Sequence, residues 1–106
     1  MTQDLIKNIA KARTFTLAEQ VEYAEQQVVS RTLVQNSALT LTLFAFAAGE
    51  GLSTHTTPGD ALVQVLEGAA RITIGGTEHQ LEAGQSIVMP AGIPHAVDAD
   101  QAFKML

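Results

Sequence analysis

Cysteine and tryptophan are missing from this chain, prolines number three, and aromatic residues make up 5% of it. Without cysteine there is no disulfide framework, no thiolate nucleophile and no sulfur-ligated zinc site. Basic residues are scarce as well: six Lys and Arg stand against 11 Asp and Glu, for a formal charge of −5. Nucleic-acid recognition needs a concentrated basic patch, so no nucleic-acid partner is expected. The longest apolar runs are about six residues, as in LFAFAA, far short of the ~20 needed to span a bilayer, and no membrane partner is expected either. The opening MTQDLIKNIAKAR has no apolar stretch with a small-residue cleavage site, and the expected compartment is the cytoplasm. What the chain does have is apolar content, 46% of its 106 residues. That is enough for one domain to bury a core unaided.

Residues 1–15 carry a weak helical period, with Leu5, Ile6 and Ile9 set against Lys7, Lys11 and Arg13. Thr16 and Glu19 have capping-box spacing ahead of good helix formers, so local propensity favours a helix over about 17–26. From Val28 the period changes to two. VVSRTLVQ is rich in β-branched residues, and Leu39 to Phe46 alternate, with Leu39, Leu41 and Leu43 on one side. Thr40, Thr42, Phe44 and Phe46 take the other side, so this strand is expected to be covered on both faces. GEGLSTHTTPGD reads as a loop, whereas ALVQVLEG, ARITI, TEHQLEA and SIVMP read as strands. Gly75-Gly76 supplies the two positive-φ residues of a tight hairpin turn, and AVDADQAFKML reads as strand, turn and strand. Roughly seven or eight short strands with regular turns predict an all-β antiparallel sandwich or barrel.

Two stretches, GEGLSTHTTPGDALVQVLEG at 49–68 and GQSIVMPAGIPH at 84–95, resemble the two motifs of the cupin superfamily. Gly49, His55 and Gly68 fall in register with the first motif, G-x5-H-x-H-x3-4-E-x6-G. Gly84, Pro90, Gly92 and His95 fall in register with the second, G-x5-P-x-G-x2-H-x3-N. The resemblance covers 39–106 and implies a small single-domain jelly-roll β-barrel over 28–106. Residues 1–27 would be an N-terminal extension packed on that barrel, mostly extended over 17–26 because tertiary pairing overrides weak propensity. The resemblance also implies a homodimer paired through an outer sheet face, which would cover the apolar chain end Phe103-Lys104-Met105-Leu106.

In that family the motif histidines and glutamate converge on one divalent metal inside the barrel. The resemblance therefore implies a site for Fe, Mn, Ni or Zn that includes His55 and His95. The second histidine position is Thr57 here, the glutamate position is Ala61, and the final asparagine position is Ala99. Asp60 and Gln64 are the nearest replacements, but period two puts both on the face opposite Ala61, Val63 and Val65. A bulge at Pro58-Gly59 is what would swing Asp60 inward. Thr57, Ala61, Val63, Val65, Phe44 and Phe46 are the expected pocket wall. His79 shares the parity of Leu81 and could face inward, although such hairpin histidines more often lie at the surface. Met89 and Met105 read as gap fillers.

Two functions of different kinds follow. One is a metal-dependent enzyme acting on a small polar molecule, its metal held weakly by His55 and His95. The other is a metal-free binding or regulatory module in which the two histidines orient a small molecule in an apolar pocket. Alanine in place of glutamate enlarges and de-charges the pocket, which favours binding. The scaffold hosts many unrelated chemistries, so it names no substrate.

Overall fold

The computed structural model describes residues 4–106. Its first strand, β1 (Val28–Gln35), turns into β2 (Thr40–Phe46) through Asn36. The Asn36 Oδ1 accepts hydrogen bonds from the amides of Ala38 at 2.8 Å and Leu39 at 3.0 Å, so the side chain itself closes the turn. Then follow β3 (Gly51–His55), β4 (Ala61–Glu67) and β5 (Ala69–Ile74). A two-residue turn leads from β5 into β6 (Thr77–Glu82), with φ of 55° at Gly75 and 85° at Gly76. Both values are positive, as a primed hairpin turn requires. The chain finishes with β7 (Ser86–Met89), β8 (His95–Asp98) and β9 (Phe103–Met105).

All pairings are antiparallel and form two sheets of a jelly roll. One runs β1-β2-β9-β4-β7 and the other β3-β8-β5-β6. Between them lies the main core, built on Phe46, Val63, Val65, Ile72, Val97 and Phe103. Phe46 stacks on Phe103 with ring centroids 4.6 Å apart. The alternation of β2 works on both faces: Phe44 and Phe46 face this core, while Leu43 and Ala45 join a second cluster with Val21 and Leu33.

That second cluster is roofed by the segment before Val28. Its backbone is tied to β1 by Lys7 N on Leu33 O at 2.8 Å and by Asn8 Nδ2 on Thr32 O at 2.7 Å. Its far end is held by Lys104, only 9% exposed, whose ammonium donates to Ala18 O at 2.6 Å and lies 4.9 Å from the Tyr23 ring centroid. A buried ammonium needs such partners, and the extension supplies them. Over 17–26 the helical content is one 3-10 turn, Leu17–Gln20, and Thr16 makes no side-chain cap. Burying Val21 beneath the extension outweighs the local preference for helix. The weak helical period read over 1–15 gives bends over 4–15, and residues 1–3 lie outside the described residues.

One strand is a correction. Residues 51–55, read as loop, form the edge strand β3 on β8. Apart from Leu52 its residues are exposed, so the backbone of β8 holds it with little apolar signal in its own side chains.

Candidate functional site

His95 opens β8, immediately after a bend that Gly92 allows by adopting φ of 74°. The Gly92 amide donates to Thr57 O at 2.9 Å, which ties this bend to the loop after β3. His55 is the last residue of β3 and pairs directly with His95 across the β3–β8 ladder. Between Leu52 and His55 the register slips by one residue: Leu52 faces Val97, two positions from His95, while His55 is three positions on. This bulge cancels the alternation that would have put Leu52 and His55 on opposite faces.

The two imidazole rings lie 4.4 Å apart, centroid to centroid, at 68° to one another. His55 Nδ1 is 2.7 Å from Ser53 O, and His95 Nδ1 is 3.1 Å from Ile93 O. A carbonyl only accepts, so each Nδ1 carries the hydrogen in these bonds and each Nε2 is left with its lone pair. His95 is 2% exposed, yet no sealed side-chain polar atom lacks a partner among the described residues. Its Nε2 therefore opens onto accessible space.

That space is a cavity of about 230 Å³ lined by both histidines together with Phe44, Thr57, Ala61 and Val63. Four expected wall residues thus meet the histidine pair. Four others do not. Phe46 and Val65 have the right parity but lie deeper along their strands, fully buried in the core. Asp60 and Gln64 line an adjoining groove of about 690 Å³, which shares Thr57, Ala61 and Leu62 with the histidine cavity. The Asp60 Oδ1 is engaged by the Ala91 amide at 2.8 Å, so no bulge swings it inward. Leu52, Met89, Val97 and Met105 also line the cavity. Leu52 was hidden by the bulge, whereas Met89 and Met105, read as gap fillers, belong to the buried core and border the cavity from there. His79 is half-buried opposite Ile72 on β5 and is not on the cavity wall.

No side chain of the wall bears a formal charge apart from what the imidazoles can take up. Thr57 Oγ1 donates to Gly59 O at 2.9 Å. A catalytic divalent ion normally takes about three protein ligands, with a carboxylate common among them. Among the described residues no three His, Asp or Glu side chains converge in this way. Two imidazole nitrogens in an apolar wall do not fit a tightly held ion.

A family model for the cupin domain matches residues 42–106, which include both histidines and the whole of β3 to β9. The chain belongs to the cupin family. A conserved protein of unknown function from Streptococcus pyogenes is 43% identical, with TM-score 0.94 over 99% of this cupin and 92% of that chain. A cupin superfamily protein from Desulfitobacterium hafniense is 35% identical, with TM-score 0.90 over 94% of this chain and 92% of its own. A cupin conserved barrel domain protein from Leptotrichia buccalis is 46% identical over 86% of this chain but 44% of that one, with TM-score 0.83. Salicylate 1,2-dioxygenase from Pseudoaminobacter salicylatoxidans, at 22% identity and TM-score 0.67, shares the fold alone with this cupin. No curated protein matches the chain in sequence. Among the described residues no helix is long and apolar enough to cross a membrane.

Proposed function

We propose that this cupin is a binding module that takes a small polar molecule into its barrel, oriented by the imidazoles of His55 and His95. The observation that carries this reading is the ring pair, 4.4 Å apart on one cavity, each with its Nδ1 hydrogen engaged by backbone. Engagement of Nδ1 fixes each ring and leaves Nε2 as the group a ligand meets. Largely apolar side chains, with the threonines Thr40, Thr42 and Thr57 among them, supply the rest of the contact.

The competing occupant is the metal of the family, Fe, Mn, Ni or Zn, held loosely by the same two nitrogens with solvent filling the other positions. Elemental analysis of the protein after dialysis against a chelator separates the two. Loss of metal together with unchanged folding supports the binding module. One ion retained per chain would overturn it.

A homodimer and a cytoplasmic location belong to the same proposal. Leu62 and Val88, neighbours across β4 and β7, are 68% and 52% exposed on the outer face of the larger sheet. A second copy covering them would remove an apolar patch beside an uncharged edge strand, Ser86–Met89.

A further inference from the structure

The class of ligand follows from the hydrogen-bonding sense of the two histidines, given that the barrel binds a small molecule at all. With both Nδ1 hydrogens on backbone carbonyls, Nε2 of His55 and Nε2 of His95 accept and do not donate. No other side chain of the wall offers an N–H, since the remainder are threonines, aliphatics, methionines and Phe44. The Thr57 hydroxyl hydrogen is spent on Gly59 O. An incoming carboxylate would trade its hydration for two imidazole acceptors and at most the hydroxyls of Thr40 and Thr42, with no cationic side chain to meet it. An ammonium would likewise find no carboxylate side chain. A neutral hydroxyl loses little on entering and has a lone pair waiting for its hydrogen.

We propose that the ligand is a neutral alcohol or phenol that donates its hydroxyl hydrogen to an imidazole Nε2 and rests its carbon body against Phe44, Val63 and Met105. Beside the histidines the cavity offers about 230 Å³, room for one ring or a short chain, and it shares Thr57, Ala61 and Leu62 with the larger groove next to it. Carboxylates of the same outline are rejected.

Phenol, toluene and benzoate share a ring and differ in bearing a donor, nothing polar, or an anion. The full chain, labelled with ¹⁵N-histidine, is titrated with each at pH 8 while the Nε2 resonances are followed. Phenol is expected to bind about ten-fold tighter than toluene or benzoate, the strength of one satisfied hydrogen bond, and to move the Nε2 signals. Either His55→Phe or His95→Phe alone should lower the phenol-to-toluene affinity ratio, and the folded double variant, which lacks both acceptors, should bring it to about one. Benzoate binding as tightly as phenol would overturn the ligand class while leaving the pocket in place. An unchanged ratio in the folded double variant would overturn the donor contact to the imidazoles in the same way. If none of the three binds, the binding-module reading itself falls.

Discussion

Asp60 and Ala91 are joined by a hydrogen bond of 2.8 Å from the Ala91 amide to Oδ1, which fastens the loop before β4 to the bend before β8. The carboxylate nearest the lost glutamate position is therefore a clasp between two loops. Asp60→Ala is expected to lower stability by about 1 kcal/mol. Phenol affinity should stay within roughly two-fold of the parent, since the site does not use the carboxylate. Thermal unfolding and titration of the same sample check both halves. A large loss of affinity without loss of stability would put Asp60 back in the site.

Ala61 lines the cavity and pairs with Met89 across β4 and β7. Ala61→Glu adds a carboxylate to two imidazoles, the donor set that holds a divalent ion in open, substrate-accessible sites. The parent should lose zinc or manganese on dialysis and the variant should keep it, as read by elemental analysis. Equal retention by both would show that the missing carboxylate was never the deficit.

Much of the fold was legible because strand parity and turn chemistry are local. Leu39 to Phe46 alternate, Gly75-Gly76 turns, and these fix neighbours without knowledge of the rest. Edge strand β3 was not legible, since its hydrogen bonds come from β8 and only Leu52 among its side chains is apolar and partly buried. For the site, parity set Asp60 and Gln64 apart from Val63: they line the adjoining groove and Val63 lines the histidine cavity, while Ala61 borders both. Depth was the blind spot: Phe46 and Val65 share a face with Phe44 and Val63 but sit further along the strand, beneath the cavity floor. Distance along a strand from a barrel mouth is set by how the two sheets pack, and no residue pattern encodes it.

A β-carbon at Gly51 would lie 2.3 Å from Val97 O, a backbone atom that cannot rotate away. Gly51→Ala must push β3 off β8 and carry His55 with it. We expect a loss of about 1–3 kcal/mol in denaturant unfolding, together with weaker phenol binding. Gly59→Ala is the control, because nothing lies within 4 Å of its added carbon, and its effect should stay within about 0.5 kcal/mol. A neutral Gly51→Ala would mean the β3 pairing is looser than described.

Tyr23 is the one tyrosine of a chain without tryptophan, so its ionisation is optically clean. Burial of the phenol, then its 2.6 Å bond to Glu67 and the charge there, push its pKa well above the ordinary 10.0. The folded state holds this proton more tightly than the unfolded state does. The resulting stability is complete below about pH 10 and is lost as pH rises through the folded value. Ultraviolet titration should show little tyrosinate at pH 10, and Glu67→Gln should bring ionisation down. Half-ionised Tyr23 at pH 10 in the folded parent would contradict this.

Sedimentation tests the proposed homodimer. The parent should run as a two-chain species at micromolar concentration, and Leu62→Glu with Val88→Glu should run as one chain of 11.2 kDa, still folded. Paired carboxylates on neighbouring strands cannot be buried against a second copy without several kcal/mol of desolvation. A parent that sediments as a single chain refutes the assembly.

The strand order β1-β2-β9-β4-β7 places the last strand in the middle of its sheet. Three residues, Phe103–Met105, are the seam between β2 and β4. During synthesis every other strand leaves the ribosome before that seam can be sewn. Until then the inner edges of β2 and β4 stay unpaired, and the apolar surface around Phe46 and Val65 stays open to chaperones or to other nascent chains. Closure joins residues far apart in sequence, so it belongs to the slow, long-range part of folding. The vulnerable period of this fold is therefore the interval between the emergence of β4 and the docking of β9.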